Sequence, residues 1–237
     1  LLGYTEEELE ANFSKTLHRH AEVMGLSYED YRGQLRWWYN GYRFSPRCKT
    51  KVYNPLAIGR TLSRQSEFFE PTWSETGHST ALMQYLSTHP LTARDYECIP
   101  EVERTVFDVY DLDNIGYKTF LYQGGYLTIK DFDPISGYTL GIPNEDVRQD
   151  LNQILVDQAL QGDNALGWSK ARIALLKYDF SAFFTCLKSF YARLTYGAAE
   201  SRVNEASYQR SLFILLTAGG LRVVSEDTQA QGRADLV

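Results

Sequence analysis

Apolar side chains recur every three or four positions along most of this chain, and every second position in one short stretch. Thr5 followed by Glu8 has the form of a capping box and opens a helix. Leu9, Phe13, Leu17, His20 and Met24 then share one face, and Gly25 supplies the stop. Ser27 and Asp30 mark a second start, and Tyr31, Leu35 and Trp38 form its stripe until "YNGY" breaks it at Gly41. Asn54 and Pro55 give a third start, with proline at the first helical position. Its end falls within 61–69. A fourth helix is expected over 79–86. Residues 90–112 keep no clean period, with helix expected from about Glu101.

The period then changes. Residues 114–123 read as a short helix stopped by Gly124 and Gly125. "YLTIKDF" alternates as a strand does, "DPISG" is a turn, and "YTLGI" is a second strand. A helix followed by a β-hairpin is the layout of a winged-helix unit. After Pro143, Asn144 can cap a helix carrying Val147, Leu151, Ile154 and Leu155, with Gly162 as its stop. Asp179 opens the clearest helix, whose Phe180, Phe183, Phe184, Leu187, Tyr191 and Leu194 keep the three-four spacing up to Gly197. A last helix is expected over 201–218. "LRVVSE" then reads as a strand, "DTQAQG" as a loop and "RADLV" as a second strand. The fold class expected is mainly α with small β elements, α+β.

Composition narrows the function. Of 237 residues, 43% are hydrophobic and 14% aromatic, enough for a packed core. The net charge of −6 and pI of about 5.3 argue against a dominant nucleic-acid surface, which is usually basic. Cys48, Cys98 and Cys186 show no CxxC or metal spacing, so a reduced, cytoplasmic protein is the simple reading. No HExxH is present, and His18 and His20 diverge on a helix. The longest apolar run, "LFILLTAGGL", is too short to span a bilayer, so no membrane partner is expected. The chain does not begin with Met and stops one strand-like step after "GRAD", which together suggest a piece of something longer.

Two carboxylates carry the candidate chemistry. On the last helix, Tyr208, Leu212, Leu215 and Leu216 all fall within about 80° of Glu205, which places this acid in the apolar stripe. That stripe should pack on the strands that follow, on the side where Asp235 stands. Two hard-oxygen donors converging on a sheet edge suit Mg²⁺. The plainer alternative is that Asn204 and Glu205 cap a helix while Asp235 pairs with Arg233 or Arg222.

Six blocks occur in order: "LLGYTEEEL", "WWYNGYRF", "VYNPLAI", "FLYQGGYLTI", "LGIPNEDVR", and "GRADLV" after a helix containing "NEASYQ". Together they resemble a bacterial family of AAA-ATPase-like proteins with a C-terminal PD-(D/E)XK nuclease-like domain. The resemblance implies four segments. Residues 1–77 are a helical segment following the ATPase core, 78–144 a winged-helix-like unit, 145–197 a helical linker, and 198–237 the start of the nuclease-like domain. It also implies that Glu205 and Asp235 are catalytic and hold Mg²⁺, with a Glu/Asp-x-Lys element due beyond Val237. No GxxxxGK[ST] loop is present, so ATP would belong to the parent protein's core and not to a complete site here. The chain alone is therefore expected to be inactive. The implied partners are the ATPase core and, through the winged-helix-like unit, DNA or another protein. The alternative function is a non-catalytic regulatory or interaction module coupling that core to a scaffold. Arg43, in "WYNGYRF", is open to two readings: contact with the core or its nucleotide, or a buried turn in which Trp38, Tyr42 and Phe44 fill core.

Overall fold

The structure, a computed structural model, describes residues 3–64, 69–73, 79–88, 91, 96–108, 115–159, 170–171, 173–175, 177–197, 212–213, 216, 225–229 and 232–236. The fold is α+β: helices carry most of the described residues, and the strands form small antiparallel sheets. The chain divides into two compact units, Leu1–Leu151 and Asn152–Val237.

The first unit opens with α1 (Glu6–Val23). Thr5 Oγ1 accepts from the Glu8 amide and Glu8 accepts from the Thr5 amide, so the expected capping box is present. Gly25 takes φ 65° just beyond the end of α1. Helix α2 (Tyr28–Tyr39) starts at Ser27, whose hydroxyl accepts from the Asp30 amide. Helix α3 (Pro55–Ser63) starts at Asn54, which accepts from the Leu56 amide. These three helices bury Leu9, Leu17, Tyr31, Leu35, Tyr39 and Ile58 in one core with Phe69. Each fully buried apolar side chain contributes about 2 kcal/mol before entropy is counted.

A polar tie closes the same region. Glu6 Oε2 accepts from Arg32 at 2.9 Å, while Oε1 accepts from Arg36 at 2.7 Å, Tyr53 at 2.6 Å and Asn40 at 3.3 Å. Burial pushes this carboxyl up, but the hydrogen bonds from Arg36, Tyr53 and Arg32 outweigh it and hold the acid at about 2.

Where "YNGY" was expected only to interrupt a helix, residues Asn40–Tyr42 form a strand, β1, paired antiparallel with β2 (Val52–Tyr53). Gly41 sits in that strand at φ 140°, a conformation that favours glycine. After α4 (Ser79–Thr88) comes a second departure. The stretch expected to turn helical from Glu101 holds β3 (Ile99–Val102) followed by a single tight turn, Arg104–Phe107. Ile99 and Val102 are buried and the two residues between them exposed, a spacing a helix and a bulged strand share. Pairing with a later strand decides it.

Helix α5 (Tyr117–Gln123) ends at Gly124, and β4 (Thr128–Asp133) and β5 (Gly137–Gly141) follow as the expected hairpin. Asp133 Oδ1 accepts from the Ile135 and Ser136 amides to make its turn. The sheet order is β3-β5-β4. Helix, strand, tight turn, helix and hairpin thus follow one another here, with the second strand of the hairpin paired to β3. Helix α6 (Glu145–Ala159) is capped by Asn144, which accepts from the Val147 amide.

In the second unit, α7 (Phe180–Gly197) starts at Asp179, whose carboxylate accepts from the Ala182 amide. Phe183 and Leu187 are buried, whereas Phe180 and Phe184 of the same stripe are exposed. The strands β6 (Ser225–Gln229) and β7 (Gly232–Leu236) form an antiparallel pair. Residues 227–229, read from sequence as loop, belong to β6. The expected stop at Gly162 and most of the expected helix 201–218 lie outside the described residues.

Candidate functional site

Three of the sequence blocks meet at one buried junction in the first unit. The approach begins with Gly41: a Cβ there would stand 2.1 Å from the Pro143 carbonyl oxygen, so only a glycine lets β1 lie against the loop before α6. Next to it, Tyr42 is buried and its hydroxyl donates to the Gly125 carbonyl at 3.0 Å. Burial pushes the Tyr42 phenol well above its ordinary range, so it stays a donor at any physiological pH. Gly125 turns at φ 76°, and a Cβ on it would stand 2.8 Å from the Trp73 ring. Trp73 stacks on Tyr42 and meets Tyr126 edge-on, both with centroids 5.9 Å apart.

Asp146 holds the Trp73 loop from the other side. This carboxylate is 1% exposed; Oδ1 accepts from the Thr72 amide at 2.5 Å and the Trp73 amide at 3.1 Å, and Oδ2 from the Thr72 hydroxyl at 3.1 Å. Burial raises its pKa more than these bonds lower it. Its place in the first turn of α6 favours a negative charge.

Arg43 completes the weld. Its amide donates to Thr128 Oγ1 at 2.7 Å, and the Thr128 hydroxyl donates back to the Arg43 carbonyl at 2.9 Å. The guanidinium donates to the carbonyls of Ser45, Cys48, Lys130 and Pro46. The four carbonyls take three of its five N–H groups, the Nε–H being shared by Ser45 and Cys48, so the geometry favours the internal role over contact with a nucleotide. Of the aromatics assigned to that turn, Tyr42 is buried, Trp38 half-buried and Phe44 51% exposed. Neighbouring Lys130 has its pKa brought down to about 8, by burial first and then by the nearby charges of Lys51 and Arg148. Its ammonium donates to the Pro143 carbonyl at 3.4 Å. Arg148 pairs with Glu97 and, at 3.4 Å, with Glu145.

At this junction Tyr42, Arg43, Lys130 and Asp146 are turned inward onto backbone groups and Arg148 onto two carboxylates, which suits rigid transmission between segments. Among the described residues no cluster of three or more His, Cys, Asp or Glu is placed to hold a metal ion. Asp235 lies on β7, where the register pairs Asp227 with Ala234 and Ser225 with Leu236 and so sets Glu226 opposite Asp235. Glu205 lies outside the described residues. Sequence reasoning missed Asp146 and Trp73. An aspartate in a helix's first turn is an ordinary surface signal, and nothing local marks it as the anchor of a distant loop.

The class this defines is an α+β protein whose first unit joins a helical segment to a three-stranded antiparallel sheet through one buried junction. No family model matches the chain, and no solved structure matches it. It is 28% identical over 244 residues to an uncharacterised protein in the vnfD 5′ region of Azotobacter chroococcum mcd 1, an alignment that takes in all of this chain and 44% of that protein. The chain therefore spans less than half the length of the curated relative it matches. No helix among the described residues is long and apolar enough to cross a membrane.

Proposed function

We propose that the chain is a non-catalytic coupling body, which in its parent protein joins an AAA-type ATPase core to a nuclease-like scaffold. The observation that supports this best is the double anchoring of the Thr72–Trp73 loop: Asp146 grips its backbone while Tyr42 and Tyr126 enclose the indole. A motion imposed on the helical segment is then carried into the hairpin unit without slack, because close-packed interiors transmit displacement.

The hairpin unit faces a protein in this reading. Glu101, Glu103, Asp108, Asp131 and Asp133 are all exposed around its sheet, where they repel a phosphate backbone. The helix that would enter a DNA groove carries a single cation, Lys118, among mostly aromatic and polar residues. ATP hydrolysis by the parent protein, measured with and without residues 78–237, tests the coupling. An unchanged rate and nucleotide affinity would end it.

A second reading, a Mg²⁺-dependent nuclease in the parent, draws support from the antiparallel β6–β7 pair with Asp235 inside it. Glu205 and Asp235 would hold the ion, and the ion would supply a polarised scissile phosphate. Cleavage of plasmid DNA by the parent in Mg²⁺ should vanish in Asp235→Ala. Absence of cleavage in the unsubstituted parent leaves the coupling role alone.

A further inference from the structure

We propose that the cleft between α1 and α3 binds the phosphate group of a small phosphate ester. The cleft has a volume of about 260 Å³ and is lined by Lys15, Thr16, Arg19 and His20 of α1 with Leu62 and Ser63 of α3. Positions 15, 19 and 23, and likewise 16 and 20, repeat at one helical turn, so they form two adjacent rows on one face of α1.

The two cations of the cleft are not committed elsewhere. Arg32 and Arg36 are held by Glu6, Arg43 by four carbonyls, Arg60 by the Thr72 carbonyl, Arg64 by Glu70 and Arg148 by Glu97. Lys15 and Arg19 make no ion pair or hydrogen bond to a side chain among the described residues, and both are exposed at the cleft. His20 is 6% exposed yet its ring donates to and accepts from no described residue; its ring lies 6.4 Å from that of Tyr31. Two fixed charges, an imidazole and the Thr16 hydroxyl around one cavity provide the several donors that a phosphate dianion takes up, while the Ser63 hydroxyl already donates to the Arg60 carbonyl at 2.9 Å.

The size of the cleft and its apolar wall point to an ester. A water takes up about 30 Å³, so the cavity exceeds what a bare oxyanion fills. From Lys15 to Val23, which also lines it, the groove runs about 12 Å along the helix. Val23 and Leu62 offer apolar contact to an organic group beside the charged end.

Isothermal titration calorimetry of the full chain tests this, with phenyl phosphate and inorganic phosphate as probes at about 0.01 M ionic strength, where screening is weak. Phenyl phosphate should bind saturably and about tenfold tighter than inorganic phosphate, and the exposed pair Lys15→Gln/Arg19→Gln should weaken both at least about tenfold. Equal affinity for the two probes would overturn the ester assignment. No saturable binding, or binding that the double variant leaves unchanged, would overturn the site. A lowered melting temperature with unchanged binding would also overturn it, and would assign the two cations to the helix C-termini.

Discussion

The Tyr42 hydroxyl donates to the Gly125 carbonyl at 3.0 Å across 83 positions of sequence. One partner comes from "WYNGYRF" and the other from "YQGGYLTI". Each of these blocks reads locally as an aromatic turn, and the bond between them is what makes both part of one junction.

Tyr42→Phe keeps the ring stacked on Trp73 and removes only that bond. A loss of about 1 kcal/mol in urea unfolding is expected. Asp146→Ala releases three donors at once and should cost about 3 kcal/mol. Since both residues confine the Trp73 loop, the double variant should depart from additivity by about 0.5 kcal/mol or more. Strict additivity would mean that the two contacts act on separate bodies.

Two glycines give opposite expectations. Gly41→Ala places a Cβ 2.1 Å from a backbone oxygen at φ 140°, and should cost about 3 kcal/mol or prevent folding. Gly33 lies inside α2 with nothing within 4 Å of a built Cβ, so Gly33→Ala should stabilise by about 1 kcal/mol. Thermal melting of the two variants decides; a tolerated Gly41→Ala would contradict the close approach of β1 to Pro143.

Glu6 sets an acid limit. Its folded pKa of about 2 lies below the ordinary 4.5, so its stabilisation is complete above about pH 4.5 and is lost as pH falls toward 2. Asp146 works in the opposite sense: burial raises its folded pKa above the ordinary 3.8, so its contribution is fully present below about pH 3.8 and is lost as pH rises through the folded value. Glu6→Gln should cost about 2 kcal/mol at pH 7, less if solvent at its partly open edge screens the arginines. Below pH 4.5 the variant's stability should fall less steeply than the parent's, as read from urea midpoints. Parallel curves would remove Glu6 as the source.

Tyr31 is buried without a hydrogen-bond partner for its hydroxyl among the described residues. Burial also drives its phenol well up, so it stays protonated. Tyr31→Phe removes an unsatisfied group while keeping the ring, and should be neutral or stabilising by up to about 1 kcal/mol. A clear loss of stability would show instead that the 20 Å³ cavity beside it holds a water bonded to that hydroxyl.

The helix starts were legible because their signals are local. Thr5, Ser27, Asn54, Asn144 and Asp179 each cap a helix through an amide two or three residues away, within reach of sequence reading. The hairpin β4–β5 was legible for the same reason: Asp133 writes its own turn. β1 and β3 were not, since a strand of three or four residues has too few positions to show a period. Of the candidate nuclease pair, the strand around Asp235 was legible, while Glu205 falls outside the described residues.

By itself, the sequence determined the starts of α1, α2, α3, α6 and α7, their capping residues, the hairpin and the α+β class, because those depend on neighbours one turn or one loop apart. Only the tertiary structure decided that Gly41 must be glycine, that Arg43 is spent on carbonyls, and that Asp146 holds the Trp73 loop from 73 positions away. Contacts at such separations leave no periodic trace, since any buried carboxylate or tight approach looks locally like an ordinary acid or an ordinary turn. Packing supplies the partner, and with it the meaning of the residue.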